Sequence, residues 1–204
     1  MDCQRPSGDV SVKLTPLITH MLLDHYLFPM LTRKETKREQ MGAQNTLRGQ
    51  QQVIAPWLSI ELDTLRPYHI SSFRFDSRGI PGQRLFVTER GCLTARLGTE
   101  PGGSSPPTPL PNNSQSLVLH DLRRQTVDDG PRVLVTAIDG LQQHGTDGEF
   151  ALGLRTAFLM NENRPIGRVR GLIRGNWWNL LRDPETKVGH EGGLNSLTVR
   201  CEFL

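Results

Sequence analysis

From residue 53 onward, apolar and polar residues alternate in short runs, and this period constrains the fold more than any other feature. In the segment 57–62, Leu58, Ile60 and Leu62 share one face of a strand. The chain holds 20 Gly and 14 Pro among its 204 residues. Short runs between such residues are typical of strands rather than of long helices. We therefore predict a mainly β protein.

The same alternation predicts about nine strands. They are expected near residues 57–62, 70–75, 84–88, 92–97, 117–120, 133–138, 150–159, 166–174 and 194–203. The third and fourth runs are separated by Glu89-Arg-Gly91, so we expect a hairpin there. The predicted architecture is an antiparallel β-sandwich or barrel that forms a single domain over residues 53–204.

A helix is expected before this domain, over residues 15–28. Thr15 is a suitable N-cap and Pro16 suits the first helical position, whereas Pro29 would end or kink the helix. The apolar stripe at helical spacing consists of Ile18, Met21, Leu22, His25 and Phe28. The stripe either packs against a sheet or docks on a partner. A second, short helix is expected at 176–182.

Two segments have little to bury. Residues 32–52 are polar and include the basic side chains Arg33, Lys34, Lys37 and Arg38, so residues 1–52 are predicted to be a helix followed by a basic arm or linker. Residues 98–116 are rich in Pro, Gly and Ser and are predicted to form a long surface loop.

The charge of the chain comes mostly from arginine. The formal net charge is +3, and 20 of the 24 basic residues are Arg. Within 166–178, strand spacing places Arg168, Arg170 and Arg174 on one face, and Trp177 and Trp178 follow directly. Guanidinium groups beside aromatic rings are typical of surfaces that bind a neighbouring subunit, nucleic acid or an anionic membrane.

One segment could carry chemistry. His144, Asp147 and Glu149 lie within six residues, a combination that could hold a metal or supply an acid and a base. Gly145 and Gly148 in the same segment are typical of a turn between strands. The sequence contains no HExxH zinc pattern, no GxSxG nucleophile motif and no phosphate-binding loop.

The cysteines and the apolar runs bear on location. Cys3, Cys92 and Cys201 show no CxxC spacing, which argues against a disulfide framework and a zinc site. The longest apolar stretch, 17–31, is too short and too polar to span a bilayer. We expect no cofactor, no transmembrane segment and a cytoplasmic, reducing environment.

The general build resembles that of small viral shell or matrix proteins, which are β-rich, arginine-rich and equipped with a basic arm. The resemblance implies a non-enzymatic, self-associating structural protein of matrix or capsid type, a homo-oligomer found in the virion, whose Arg face contacts nucleic acid or an anionic membrane. Two alternatives stay open. One is a monomeric or dimeric nucleic-acid-binding module. The other is a hydrolase-like or metal-dependent enzyme that uses His144, Asp147 and Glu149.

Overall fold

The computed structural model describes residues 3–4, 6, 8–32, 52–98, 107–123, 132–144, 148–162 and 164–204. The chain divides into two compact units. The barrel unit combines Met1–Met21 with Arg124–Leu204, and the inserted unit is Leu22–Arg123. These boundaries differ from the predicted one at residue 52/53.

The described residues form twelve strands. They are β1 (Cys3–Gln4), β2 (Gly8–Leu14), β3 (Leu58–Asp63), β4 (Arg84–Glu89), β5 (Cys92–Leu93), β6 (Leu117–Asp121), β7 (Arg132–His144), β8 (Glu149–Asn161), β9 (Arg164–Val169), β10 (Leu172–Asn176), β11 (Lys187–Glu191) and β12 (Leu194–Phe203). The helices are α1 (Pro16–Leu22), α2 (Phe28–Thr32) and α3 (Trp177–Leu180). The prediction of a mainly β class is therefore confirmed.

The barrel unit is a sheet that closes on itself. Its strands follow the order β8-β10-β12-β2-β7, and β7 pairs again with β8. Strands β9 and β1 extend the sheet beyond β8, and β11 pairs with β12. Two pairings are parallel, β2 with β7 and β1 with β9. The predicted antiparallel barrel is therefore confirmed as a closed barrel but not in all its pairings. Parallel neighbours need a long connection, and residues 15–131 supply one between β2 and β7.

Alternation places the apolar side chains of the barrel strands on the inside. On β2, Val12 and Leu14 are completely buried, whereas Asp9 on the other face is exposed. Ile173 of β10 and Leu152 of β8 are equally buried and lie opposite each other in register. Each such side chain contributes about 1.5–3 kcal/mol of burial free energy, so the barrel interior is the main source of stability in this unit.

The N-terminal helix starts where the sequence predicts and continues past its predicted end. A π-helical turn, Leu23–Leu27, joins α1 to α2, and Phe28 N–H donates to the Leu23 carbonyl. Pro29 has no N–H to donate, and the wider turn directly before it accommodates this loss. Among the described residues the Thr15 hydroxyl has no hydrogen-bond partner, so Thr15 does not cap the helix through its side chain.

The inserted unit contains a four-stranded sheet in the order β5-β4-β3-β6. Strand β3 is buried on both faces. The predicted hairpin is confirmed, since β4 pairs with β5 across Arg90 and Gly91, both with positive φ. The strand predicted at 70–75 is wrong: this segment is a turn-rich loop, in which Phe75 forms an isolated bridge to Pro81 of the same loop.

Three further predictions concern the basic arm, the strand at 166–174 and membrane spanning. The arm residues Arg33, Lys34, Lys37 and Arg38 lie outside the described residues. The predicted strand 166–174 is broken into β9 and β10 at Arg170-Gly171. Within the described ranges, no helix has the length and apolarity that crossing a membrane requires.

Candidate functional site

An open cleft of about 770 Å³ lies in the barrel unit, beside β10, α3 and β12. We call it the barrel cleft. Its charged lining residues are Asp9, Glu149, Arg174, Arg182, Asp183, Glu185, Arg200 and Glu202. Five carboxylates thus meet three guanidinium groups, and the lining carries an excess of negative charge.

Helix α3 is fixed in place by its cap and by the turn before β8. The side-chain oxygen of Asn176 accepts hydrogen bonds from the N–H groups of Trp178 (3.1 Å) and Asn179 (3.2 Å). The N–H of Trp177 donates to the Gly148 carbonyl at 2.8 Å. A Cβ atom on Gly148 would lie 2.5 Å from Cδ1 of Trp178, so glycine is required for this approach. The helix therefore has one well-defined position at the edge of the cleft.

Charged side chains form a row across three strands of the cleft. Arg174 of β10 lies opposite Glu202 of β12, which lies opposite Asp9 of β2. Directly opposed residues share a face at about 5 Å between Cβ atoms, close enough for charges to interact. Arg200 and Glu185 form a further ion pair in the cleft. The cleft therefore presents both signs of charge at short, regular spacing.

Cys201 contributes to the floor of the cleft but is not a reactive thiol. It is buried, and burial, followed by the negative charge of Asp9, raises the pKa of its thiol to about 12. A nucleophilic cysteine needs a lowered pKa. Cys201 is therefore a packing residue.

The inserted unit holds a second polar cluster, around the buried carboxylate of Glu61. Its oxygens lie 2.5 Å from Nε of Arg84 and 2.8 Å from Nε2 of His120. Burial alone would raise the pKa of Glu61, but the bonds from Arg84 and His120 outweigh it, and the pKa is lowered. The cluster stabilises an ionised carboxylate inside the unit. Sequence reasoning missed it because its members are far apart along the chain.

The structure separates the residues of the predicted Arg face. Arg168, Arg170 and Arg174 are all exposed, as the alternation predicts, but Arg174 lines the barrel cleft whereas Arg168 lies on β9 opposite Phe158. Trp177 is completely buried, and Trp178 is half-buried against Gly148. Trp177 is thus a core residue, and the contact role of the three arginines stays a prediction.

The predicted acid–base segment forms the connection between β7 and β8. His144 ends β7, Glu149 begins β8, and the two residues lie opposite each other in register. Asp147 falls outside the described residues. Glu149 lines the barrel cleft. The turn predicted between them falls mainly on residues 145–147, which lie outside the described residues.

A comparison with protein families finds a match over most of the chain. Residues 7–191 match the family described as the PmbA/TldA metallopeptidase C-terminal domain. The chain belongs to this family. A comparison with curated proteins finds no match.

Three solved structures are similar in fold to this chain. TldE from Thermococcus kodakarensis superposes with a TM-score of 0.68 at 17% identity, covering 100% of this chain and 51% of that one. A protein from Thermotoga maritima described as a candidate modulator of a DNA gyrase gives 0.64 at 21%, covering 99% and 51%. A candidate gyrase modulator from Bacteroides thetaiotaomicron gives 0.64 at 15%, covering 98% and 48%. The chain thus spans about half the length of these relatives.

Membership in the PmbA/TldA family corrects the functional expectation. The prediction of a viral matrix or capsid protein is wrong, because the match covers nearly the whole chain and names a peptidase domain. The match does not indicate a nucleic-acid module, whereas a metallopeptidase family is of the same broad class as the other alternative, a hydrolase-like or metal-dependent enzyme. The use of His144, Asp147 and Glu149 stays a prediction. A β-rich, arginine-rich composition is shared by many unrelated folds and does not specify a function.

A metallopeptidase family implies a metal, and the described residues of this PmbA/TldA domain do not fit one. Among them, no three His, Cys, Asp or Glu side chains converge to hold a metal ion. The described carboxylates of the barrel cleft are interleaved with arginines, which compete with a cation for them.

Proposed function

We propose that the chain binds a polypeptide segment in the barrel cleft, as the substrate-handling domain of a PmbA/TldA-type peptidase. The family match over residues 7–191 carries this proposal. The cleft supports it, because carboxylates and guanidinium groups follow one another across its neighbouring strands. A bound polypeptide segment with charged side chains of either sign would find partners in this row.

The charge of the cleft favours polypeptides with basic residues. Carboxylates outnumber guanidinium groups in its lining, and the row Asp9–Glu202 places two of them side by side. Lysine or arginine side chains of a bound segment would pair with these acids, whereas a polyanion would be repelled. The single arginine of that row, Arg174, would pair with an acidic residue or the carboxyl group of the peptide.

The proposed role of this domain is substrate binding and orientation. In a metallopeptidase, polarisation of the scissile carbonyl and activation of water would be supplied by a bound metal ion. The described residues of this chain present no ligand set for that ion. What they supply is a rigid, charged groove fixed by the closed barrel and by α3, which suits the positioning of a substrate.

The test is fluorescence anisotropy with two labelled, unstructured peptides of Gly and Ser, one containing Lys and the other Glu. We expect the Lys peptide to bind more tightly, with an affinity that falls as salt rises. The double variant Glu149→Gln with Glu202→Gln should weaken it by about fivefold or more, since two of the five described acids are neutralised. The matched control is Asp139→Asn with Glu162→Gln, two exposed acids outside the cleft.

Three results would contradict the proposal. Equal affinity for both peptides would show that the charge of the cleft does not select the peptide. Unchanged affinity in the cleft variant would show that the peptide binds elsewhere. Tighter binding of an oligothymidine than of the Lys peptide would show a nucleic-acid surface instead. Zinc content measured on the same protein adds a separate check: stoichiometric zinc that is lost in Asp147→Ala would assign metal binding to this chain.

A further inference from the structure

Three arginines of the barrel unit project into solvent without a neutralising acid. Arg155, Arg168 and Arg170 are all exposed. None of the three forms an ion pair within the described part of the chain. Like charges on neighbouring strands repel one another, so a cluster of this kind lowers the stability of the fold unless a partner neutralises it.

Strand pairing brings the three arginines together. Arg168 lies in β9 and Arg170 directly after it, at the spacing that places two extended residues on one face. The N–H of Leu154 donates to the Gly171 carbonyl at 3.0 Å. Arg155 and Arg170 are the sequence neighbours of these two bonded residues, so they lie side by side on adjacent segments of chain.

The register of β8 and β9 shows that this cluster lies on the outside of the barrel. Ala157 of β8 pairs with Val169 of β9, and both side chains are buried in the barrel interior. The next pair along the strands is Phe158 with Arg168. Because successive side chains alternate between faces, this pair points away from the interior. Arg168 is accordingly exposed, and Phe158 is half-buried beneath the exposed surface.

Apolar side chains continue this outer surface beside the arginines. Met160, two residues after Phe158, pairs with Pro165, and a shift of register there leaves Ile166 as an extra residue of β9. Met160 is half-buried and Ile166 is 47% exposed. Opposed residues of paired strands have Cβ atoms about 5 Å apart, so the cations and the apolar groups form one continuous surface. We call this surface the Arg168 face, and its residues are Arg155, Phe158, Met160, Ile166, Arg168 and Arg170.

The make-up of the Arg168 face favours a polypeptide partner over a membrane or a nucleic acid. Guanidinium groups form paired hydrogen bonds with carboxylates, and apolar contact is available directly beside them. Binding at a bilayer surface requires apolar side chains that project further than the charged ones, whereas Phe158 and Met160 are half-buried below exposed arginines. Single-stranded nucleic acid stacks its bases on exposed rings, and the ring of this face belongs to the half-buried Phe158.

We propose that the Arg168 face binds an acidic protein segment that carries apolar residues between its carboxylates. The carboxylates pair with Arg155, Arg168 and Arg170, and the apolar residues pack on the half-buried side chains of β8. Such a partner has the opposite charge to the basic segment proposed for the barrel cleft. The Arg168 face is therefore a second binding surface, and its binding does not depend on that of the cleft.

The test is fluorescence anisotropy of the full chain with a labelled peptide in which Glu and Leu are spaced by Gly and Ser. We expect the peptide to bind with an affinity that falls as salt rises. In the double variant Arg155→Gln with Arg168→Gln the dissociation constant should be at least about fivefold higher. The matched control, Arg74→Gln with Arg90→Gln, removes the same charge from exposed positions of the inserted unit and should bind like the wild type. Circular dichroism checks that each variant is folded.

A second measurement locates the contact. In isotope-labelled protein the peptide should shift the amide NMR signals of Phe158 and Arg168 and leave the signal of Asn179, which lines the cleft, unchanged. The cleft variant Glu149→Gln with Glu202→Gln should bind this acidic peptide like the wild type. The proposal for the Arg168 face and the proposal for the cleft can therefore fail independently.

Four results would overturn the proposal. They are the absence of binding, unchanged affinity in the arginine variant, equal affinity for a peptide with Lys in place of Glu, and equal affinity for one with Ser in place of Leu. Tighter binding of an oligothymidine that is lost in the arginine variant would replace the proposal with a nucleic-acid surface. Sedimentation of the wild type, but not of the arginine variant, with phosphatidylserine vesicles would replace it with a membrane surface.

Discussion

Replacing Asp76 tests whether one buried carboxylate organises the loops of the inserted unit. Its side chain is 1% exposed. One oxygen accepts from the N–H groups of Arg78 and Ile80, both at 2.9 Å, and the other accepts from Leu110 N–H at 3.0 Å and from the Arg78 guanidinium at 2.6 Å. Two segments of chain, the turn at 78–80 and the segment at Leu110, therefore meet at a single side chain.

The cost of each substitution follows from these bonds. In Asp76→Asn the oxygen that serves Arg78 and Ile80 is kept, but the new NH₂ group faces the Leu110 N–H and the guanidinium. Hydrogen bonds to a charged group contribute about 1.5–3 kcal/mol, so we expect a loss of about 2–3 kcal/mol. Asp76→Ala also leaves the buried partners without an acceptor and should cost about 3–5 kcal/mol.

The assay is urea unfolding followed by circular dichroism, with the free energy extrapolated at constant slope. Asp139→Asn, at an exposed position of β7, is the control and should change stability by less than about 0.5 kcal/mol. An Asp76→Asn protein as stable as this control would refute the argument that the carboxylate holds the loops together.

The same residue predicts an acid dependence. Although burial opposes ionisation, the bonds from Leu110, Arg78 and Ile80 hold the pKa of Asp76 far below its usual range. Its contribution is complete above the pKa of the unfolded state, about 4, and is lost as the pH falls towards the folded-state value. The stability difference between wild type and Asp76→Asn should therefore shrink below about pH 4.

Three further outcomes follow from the barrel unit. Gly148→Ala should lower the free energy of unfolding by about 1–3 kcal/mol, because Gly148 has a φ of 83° and a Cβ there would clash with Trp178. Gly140 has open space around it, so Gly140→Ala should cost about 1 kcal/mol less than Gly148→Ala or stabilise slightly. Thermal unfolding measures both variants. Trp177→Ala should lower the free energy of unfolding by about 3–5 kcal/mol, because Trp177 is completely buried. A variant with the wild-type free energy of unfolding in urea would contradict this. In the folded protein Cys201 should resist a thiol reagent that labels it readily in urea; rapid native labelling, followed by mass spectrometry, would disprove its burial.

Local signals predicted the parts of the fold that short stretches of chain determine. The hairpin at β4–β5 follows from Arg90-Gly91, whose positive φ values suit a two-residue turn. Strand β2 was missed, although Val10, Val12 and Leu14 alternate with polar residues. Its partners β12 and β7 are distant in sequence, so nothing near it marks it as the strand that closes the barrel.

The arrangement of the candidate site depends on strand pairings that short stretches of sequence do not specify. The exposure of Arg174 follows from alternation, but its place beside Glu202 and Asp9 depends on the register of three distant strands. The strand predicted at 70–75 is wrong although its local pattern fits a strand. Ile70 and Phe75 look like buried strand residues, yet both are exposed on a turn-rich loop that tertiary hydrogen bonds hold in place.

The closure of the barrel by β2 and β12 has a consequence for how the chain acquires its structure. Val12 pairs with Val199, so this contact closes a loop that contains nearly the whole described chain. Contacts at such separation slow folding, because the entropy of a very large loop is lost first. The inserted unit holds its own sheet and can form earlier. Until β12 pairs with β2 and β10, the edges of these two strands stay unpaired. The incomplete barrel is then the species most prone to non-native strand pairing or aggregation.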